Sequence, residues 1–367
     1  MPAENLDDAA AGFRLRIRVR AGTTGRPGDP RIALLRARAH QWADRCSFDG
    51  PRPRAMIETD THRDTQHAVR HRTIAGGALF LGGGLSTPSL ARGLSIPLLC
   101  LPQRPDATVF ECWLEALELV GVEGRACWVL TDDRGESKWR HSGCPASLIL
   151  DQAQYRGPAG VVLDASSRFE GDGPRFVIEH TRMLERSDLL QEALSAHLAG
   201  EHAVSIAVNP DGSFSGILIA NQNAIDIIPG IGFMDIKEQW LPAANANGFS
   251  VQRVPLSGWS RQIRSLDMYL EALDAASAFR DPDQSRVIGR GESVLDPSPY
   301  AGAMTCAGAT IEPGASVARS VVAPGGRVEA GAVVVRSLVS RGAVVPTNAV
   351  VIDSIVDSAD TQRVGRV

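Results

Sequence analysis

The chain has 367 residues, is 44% hydrophobic and carries a formal net charge of −4. This length and hydrophobic content are enough for two or three domains with packed cores, and the weakly acidic balance argues against a general nucleic-acid-binding protein. No apolar run approaches the roughly 20 residues of a membrane span, so we expect no membrane contact.

The cysteines and the first residues bear on the cellular compartment. The six cysteines show no CxxC spacing, which favours free thiols in a reducing compartment over a disulfide framework. Residues 1–11 lack the apolar core of a signal peptide. We therefore expect a cytoplasmic protein.

Residues 1–73 are interpreted as an N-terminal extension of uncertain fold. Within it, residues 12–20 alternate strictly, with apolar side chains on one face and four arginines on the other. This alternation predicts a half-buried strand. The arginine face suits a phosphate or an acidic partner, but a solvated edge strand protected by its charges explains it more simply.

Residues 78–99 form the stretch around which the chain is organised. A short apolar run, residues 78–81, meets three consecutive glycines, which predicts a buried strand ending in a tight turn. Backbone N–H groups of such a turn converge on an anion, although a simple strand-to-helix turn is the plainer alternative. The candidate nucleotide-binding residues of this glycine loop are Gly82, Gly83, Gly84, Ser86 and Thr87.

Residues 81–87, then Pro97-Leu98-Leu99 and a helix at 109–117, resemble the opening of the NDP-sugar pyrophosphorylases, the sugar-1-phosphate nucleotidyltransferases. The signature of that family is roughly L-A-G-G-x-G-T-R-L, followed by Pro-Lys-Pro. The resemblance implies that a sugar 1-phosphate and a nucleoside triphosphate react with Mg²⁺ to give an NDP-sugar and pyrophosphate, in cell-surface polysaccharide synthesis. It implies a nucleoside triphosphate or NDP-sugar as the ligand.

Two cations of the family signature are absent here. Pro88 stands at the position of the family's arginine, and Ile96 at that of its lysine. Such cations hold the triphosphate and stabilise the charge that develops on pyrophosphate. Arg92 and Arg104, close in sequence to the glycine loop, are the candidate catalytic replacements, and Arg156 is a third.

From residue 74 onward, predicted strands alternate with predicted helices. We expect strands at residues 126–130, 160–163, 176–179 and 204–208, and helices at 108–120 and 188–199. This alternation predicts a doubly wound, mostly parallel α/β sheet, with its ligand beyond the carboxyl ends of the strands.

Further motifs resemble the family's ligand-binding segments. Residues 156–160 resemble the loop that cradles the nucleobase, which implies contacts from Gly157 and Gly160, although an ordinary turn fits equally well. Residues 176–182 lie where the family carries a Mg²⁺-binding aspartate, and Glu179 is the carboxylate present.

Residues 212–220 and 258–272 complete the resemblance. The first segment places Gly216 near the hydroxyls of the sugar. In the second, Gln262 stands where the family has its second Mg²⁺-binding aspartate, and a neutral amide does not replace a carboxylate's charge.

The C-terminal part is periodic. Similar apolar segments at residues 315–322, 332–339 and 349–356 recur every 17 residues and are separated by glycine turns, which predicts a β-solenoid. Hexapeptide steps resemble those of the left-handed β-helices that several pyrophosphorylases carry. All eight histidines lie at or before His202, which argues against an acyltransferase with its own base in this region. We expect the β-helix to cap the first domain or to assemble a homo-oligomer, and its removal to leave that domain folded.

Together these features predict a nucleotidyltransferase-like α/β domain at residues 74–280 and a linker with a left-handed parallel β-helix at 281–367. The resemblance covers residues 74–356, but its motifs are altered at the charged positions. The function inferred is that of an NDP-sugar pyrophosphorylase-like protein. The alternatives are a catalytically inactive relative (a pseudoenzyme) that binds a sugar nucleotide as a regulator or scaffold, and a structural module with a vestigial cleft.

Overall fold

A computed structural model describes residues 75–82, 87–123, 126–144, 146–150, 156–169, 172–276 and 302–358. These described residues all belong to one compact unit. The arginine-faced strand expected at residues 12–20, and the loop residues Gly83, Gly84 and Ser86, lie outside the described residues.

The first part of the described chain is mixed α/β. Its strands are β1 (Gly77–Leu81), β2 (Pro102–Arg104), β3 (Ala107–Thr108), β4 (Cys127–Thr131), β5 (Ser147–Leu150), β6 (Arg175–Glu179), β7 (Arg182–Leu184), β8 (Val204–Val208), β9 (Phe214–Ala220), β10 (Val251–Pro255) and β11 (Ser260–Gln262). Its helices are α1 (Ser89–Arg92), α2 (Val109–Leu119), α3 (Asp133–Ser142), α4 (Gly157–Ser166), α5 (Leu189–Ala199), α6 (Gln222–Ile225), α7 (Leu241–Ala246) and α8 (Leu266–Ala275), with a 3-10 turn at Leu98–Cys100 and a π turn at Ile236–Trp240.

The central sheet has the strand order β10-β8-β9-β6-β1-β4-β5. All of its pairs are parallel except the two that β9 makes, which confirms the predicted mostly parallel sheet. From β1 the chain proceeds to β4 and β5 on one side and returns to β6 on the other. The strand order therefore reverses at β1 and β6, and ligands of open α/β sheets bind beyond the carboxyl ends of strands at such a reversal.

Each face of this sheet is covered by its own apolar core. Phe80 points to one side, where its ring lies 5.7 Å from that of Phe110 and 5.6 Å from that of Trp113, both on α2. Leu79 points to the other side and packs in the core that contains Ala159 of α4. This alternation along β1 is what a strand buried between two helical layers requires.

One predicted strand is wrong. Residues 160–163 lie within α4 rather than in a strand, and they are largely buried. A short apolar run rich in valine fits a buried strand and a buried helix equally well, so periodicity does not separate them. Pro158 in the first turn, where no backbone N–H is needed, is the feature that favours the helix.

The C-terminal repeat forms three parallel sheets of two- and three-residue strands. They are β12 (Met304–Thr305), β13 (Thr310–Ile311), β14 (Ser316–Ala318), β15 (Val321–Val322), β16 (Arg327–Val328), β17 (Val333–Val335), β18 (Leu338–Val339), β19 (Val344–Val345), β20 (Val350–Ile352) and β21 (Ile355–Val356). The sheet orders are β12-β15-β18-β21, β13-β16-β19 and β14-β17-β20. Paired strands lie 17 residues apart in the sequence, as Met304 and Val321 do, so the sequence period is the spatial repeat. We call each 17-residue repeat a coil.

A ladder of three serines, of which Ser320 and Ser337 are fully buried, stabilises one corner of the coils. The backbone N–H of Ser337 donates to Oγ of Ser320 at 3.0 Å, and that of Ser354 donates to Oγ of Ser337 at 3.1 Å. The residues just before them, Arg336 and Asp353, have left-handed backbones with φ of 48° and 49°. The ladder satisfies polar groups that a tight corner otherwise leaves unpaired.

The coils pack directly on the sheet. Met304, Cys306, Val321 and Leu338 are buried in the same core cluster as Phe80. This shared core disagrees with the expectation that the first domain stays folded when residues 281–367 are removed.

No helix among the residues that the structure describes is long and apolar enough to cross a membrane.

Candidate functional site

The carboxyl ends of β1 and β6 meet, because Leu81 pairs with Glu179 in the parallel ladder. The carbonyl of Leu81 accepts a hydrogen bond from the backbone N–H of His180 at 3.3 Å, and its oxygen lies 2.6 Å from Nδ1 of the same residue. His180 is half-buried, and desolvation lowers its pKa. We call the carboxyl ends of β1, β4 and β6, together with the residues that follow them, the carboxyl edge.

Gly82 enters the glycine loop from this edge, and the structure gives a steric reason for the glycine. A Cβ at this position would lie 2.0 Å from the carbonyl oxygen of Leu130. Only a residue without a side chain lets the loop leave β1 so close to β4. Thr87, at the far end of the loop, is exposed.

Glu179 is paired with a cation. Its Oε2 accepts a hydrogen bond from Nε of Arg182 at 2.9 Å, and Nη1 of the same guanidinium lies 3.4 Å from the carbonyl oxygen of Ser260. Arg182 is 8% exposed, so its charge lies within the protein rather than in solvent. The carboxylate that the sequence assigns to Mg²⁺ therefore neutralises a buried arginine.

The carboxylates at the edge do not fit the Mg²⁺ site that the resemblance implies. Gln262 pairs with Arg182 across β11 and β7, so this neutral residue lies on the strand next to the arginine that Glu179 holds. Asp132, which follows β4, accepts a hydrogen bond from the N–H of Gly135 at 2.6 Å as the cap of α3. Among the described residues, no group of three histidine, cysteine, aspartate or glutamate side chains could hold a metal ion.

The space over Gly216 is filled by the chain itself. This glycine has a φ of 83°, and a Cβ built on it would lie 2.5 Å from Cγ and 2.5 Å from Nε of Arg182. Gly216 and Glu179 are thus brought together by one arginine, which occupies the place where the resemblance puts the hydroxyls of a sugar. Sequence reasoning missed Arg182, because nothing in its own segment indicates that it folds over β9.

A second cation lies at the same edge. Nζ of Lys237 is 4.7 Å from the ring centroid of Phe214, and Cζ of Arg182 is 5.8 Å from that ring. Since β9 runs against its neighbours, its first residue, Phe214, lies at the carboxyl edge. Lys237 is exposed, so its ammonium is available to an anionic ligand, and its rarity was the signal in the sequence: the chain has only one other lysine.

The guanidinium of Arg156 is held by neighbouring residues of the chain. It donates to both carboxylate oxygens of Asp164 at 3.0 Å and to the carbonyl of Pro229 at 3.0 Å. Gly157 has a φ of 68°, and a Cβ there would lie 2.5 Å from the carbonyl oxygen of Met234. A Cβ on Gly160 would lie 2.9 Å from Cβ of Arg156. In the structure both glycines are sites of close packing.

Arg104 and Arg92 are not among the residues gathered around Arg182. Arg104 forms a bidentate pair with Glu115 at 3.0 and 2.5 Å and lies 3.7 Å from Asp106. It lines a separate cavity of about 290 Å³, together with Glu185. Arg92 is exposed at the last residue of α1.

No family model matches the sequence, and no curated protein matches it. Many solved structures are similar to part of the chain, and two of them are described here. The inositol-1-phosphate CTP transferase from T. maritima is 13% identical with a TM-score of 0.41, over 56% of this chain and 98% of that one. HddC from Yersinia pseudotuberculosis is 16% identical with a TM-score of 0.42, over 54% of this chain and 98% of that one. These values are too low to carry a functional argument, so the site rests on its own residues.

Proposed function

We propose that this protein binds a sugar nucleotide at the carboxyl edge and does not catalyse nucleotidyl transfer. The observation that carries the proposal is the Glu179–Arg182 pair at the strand-order reversal. The pair engages the carboxylate expected to hold Mg²⁺, and the exposed ammonium of Lys237 lies at the same edge. Such a protein acts as a sugar-nucleotide-binding regulator or scaffold.

Two features of the edge favour an anionic ligand. Gly82 follows a parallel strand at the reversal of strand order, where ligands of open α/β sheets bind. Lys237 presents an exposed ammonium, and lysine serves as a point charge for phosphate.

The same edge lacks what transfer chemistry needs. Expelling pyrophosphate requires cations and a metal ion aligned on the charge that develops in the transition state. Pro88 and Ile96 stand where the resemblance puts two of these cations, and Gln262 where it puts a metal-binding carboxylate. Removing one such group typically costs about a hundredfold or more in rate, and several are missing together.

For the coils we propose a left-handed parallel β-helix that assembles subunits. A β-helix is supported by the three parallel sheets, the 17-residue spatial repeat and the corner residues with positive φ. Its left-handedness is taken from the family resemblance. Strands β19, β20 and β21 have a strand partner on one side only among the described residues, and such edges pair readily with a second chain. Light scattering after size exclusion tests the assembly: a monomer at all concentrations contradicts it.

A matched pair of variants tests where the ligand binds. Lys237→Met removes the exposed ammonium at the edge, and we expect it to weaken binding of UDP-glucose or GDP-mannose about tenfold. Arg140→Met removes an exposed cation of α3 that pairs with Glu136, and it should leave binding unchanged. Equal affinities of the two variants in calorimetry would place the ligand elsewhere.

A further inference from the structure

A cavity of about 290 Å³ lies between β2, α2, the turn that follows β7 and the end of α8. Its described lining does not include Glu179, Arg182 or Lys237, so it is separate from the residues gathered at the carboxyl edge. Its volume is at the small end of the range that protein ligand sites occupy. We call it the β2 cavity.

The floor of the β2 cavity is buried and carries an unsatisfied polar atom. Gln103 is 7% exposed, and its Nε2 donates to the carbonyl of Leu184 at 2.6 Å. Its Oε1 has no hydrogen-bond partner among the residues that the structure describes. Exchanging the two amide atoms would not help, because Oε1 would then face the carbonyl oxygen of Leu184. A buried amide oxygen without a donor is costly, so this atom is suited to an O–H or N–H group of a ligand.

Other buried groups near this floor do not supply the donor. The O–H of Tyr269 donates to the carbonyl of Pro102 at 2.6 Å, and Nε1 of Trp113 donates to the carbonyl of Arg182 at 3.0 Å. Burial raises the pKa of Cys112 to about 11, so this lining thiol is protonated at neutral pH and is a weak donor. The acceptor of Gln103 therefore stays available to an occupant of the cavity.

The mouth of the β2 cavity carries charges of both signs. Arg104 pairs with Glu115 at 3.0 Å and Arg186 with Asp188 at 2.9 Å, and these four residues are exposed. Glu185 adds a second carboxylate to the lining. An anion in the mouth would meet the two glutamates, and a cation would meet the two guanidinium groups. A hydroxyl group both donates and accepts, so it can use either kind of neighbour.

We propose that the β2 cavity binds a small neutral polyol, about the size of a monosaccharide or a cyclitol, with one hydroxyl group donating to Oε1 of Gln103. Its other hydroxyl groups lie at the mouth, where carboxylates accept from them and guanidinium groups donate to them. This site does not depend on the proposed function of the carboxyl edge, so the two proposals can fail separately.

Saturation-transfer NMR titrations of the full chain with D-glucose, D-mannose and myo-inositol test the site. We expect saturable binding of at least one of these polyols to the wild type. Gln103→Leu removes the acceptor and should weaken this binding at least about tenfold. Lys237→Met should leave it unchanged, because that ammonium lies at the carboxyl edge. If none of the three polyols binds saturably to the wild type, the proposal is overturned.

A second pair of variants is needed because the loss of Gln103 also leaves the carbonyl of Leu184 without its donor. Ala276 lines the cavity at the end of α8, so Ala276→Leu should partly fill it and weaken polyol binding about tenfold. Ala275→Leu, one residue earlier and also half-buried, is outside the described lining and should change binding less than about twofold. Equal affinities in these two variants would overturn the location.

Glucose 1-phosphate tests the charge of the ligand. Because the two glutamates face the mouth, this anion should bind in the β2 cavity no more tightly than glucose. Much tighter binding of the phosphate ester that is lost in both Gln103→Leu and Ala276→Leu would make the cavity an anion site and overturn the neutral class.

Discussion

Arg182 occupies the space that a side chain at position 216 would need, with its Cγ and Nε 2.5 Å from the ideal Cβ of Gly216. The same guanidinium is held by Glu179. One buried arginine therefore joins the two positions that the sequence assigns to sugar and to metal. It engages the carboxylate that the sequence assigns to the metal and fills the space over Gly216.

Gly216→Ala should displace Arg182. The new methyl group meets the arginine stem, and a φ of 83° is unfavourable for alanine. We expect a loss of about 1–3 kcal/mol in the free energy of unfolding and weaker ligand binding. Urea unfolding checks the first effect, with Gly212→Ala as the control, because Gly212 has a similar φ of 80° but open space around it. Equal costs in the two variants would show that the contact with Arg182 is unimportant.

Glu179→Gln should leave the Mg²⁺ dependence of ligand binding unchanged. The carboxylate serves Arg182, so its loss leaves a buried cation with a weaker partner and lowers the free energy of unfolding by about 1–3 kcal/mol. Calorimetric titration of the ligand with and without Mg²⁺, on wild type and variant, measures the Mg²⁺ dependence of binding. Urea unfolding measures the loss of stability. A Mg²⁺ effect in the wild type that disappears in the variant would assign Glu179 to the metal after all.

The protein should lose stability as the pH falls below about 6.5, partly because of His197. Burial lowers the pKa of His197, whose ring contacts Ser205 and Asn221. The unfolded chain then binds a proton near pH 6.5 that the folded chain binds only at lower pH, so acid favours unfolding. His197→Gln should cost about 1–3 kcal/mol at pH 7.5 and flatten the pH dependence between 6.5 and 5. Urea titrations at several pH values test this, and the exposed His141→Gln should keep the wild-type profile.

Leu338→Ala should destabilise the whole described unit rather than the coils alone. Leu338 is fully buried in the core that the coils share with the sheet, so its truncation should cost about 2–5 kcal/mol. For the same reason, a chain lacking residues 302–367 should fail to fold. Circular dichroism and tryptophan fluorescence should report one common transition in the variant. Two separate transitions, or a folded truncated chain, would contradict the shared core.

The sequence predicts those parts of the fold that local patterns determine. The 17-residue period appears unchanged as the spacing between paired strands, and most predicted strands and helices of the sheet are confirmed. Residues 160–163 were mistaken for a strand, because a short apolar run does not distinguish strand from helix. Such runs need their tertiary neighbours to be assigned.

The site was less accessible to prediction, because its contacts join segments far apart in the chain. Arg182 reaches Gly216 only after β6 and β9 pair, and Lys237 reaches Phe214 only after the chain passes α6. Proximity in sequence instead suggested Arg104, whose charge is taken up by Glu115 on the neighbouring helix α2. The roles of Arg92, Arg104, Gly157 and Gly160 in ligand binding stay predictions.

The most direct test of the account is a calorimetric titration of nucleoside triphosphates and NDP-sugars, combined with a pyrophosphate-release assay on sugar 1-phosphates with Mg²⁺. The account predicts saturable binding of an NDP-sugar and no pyrophosphate release above the uncatalysed rate. Binding with turnover would contradict it, and would mean that cations such as Arg182 and Lys237 replace those missing from the glycine-loop segment. If no nucleotide or NDP-sugar binds, the proposed ligand class itself is wrong, because the carboxyl edge would then hold no ligand of this class.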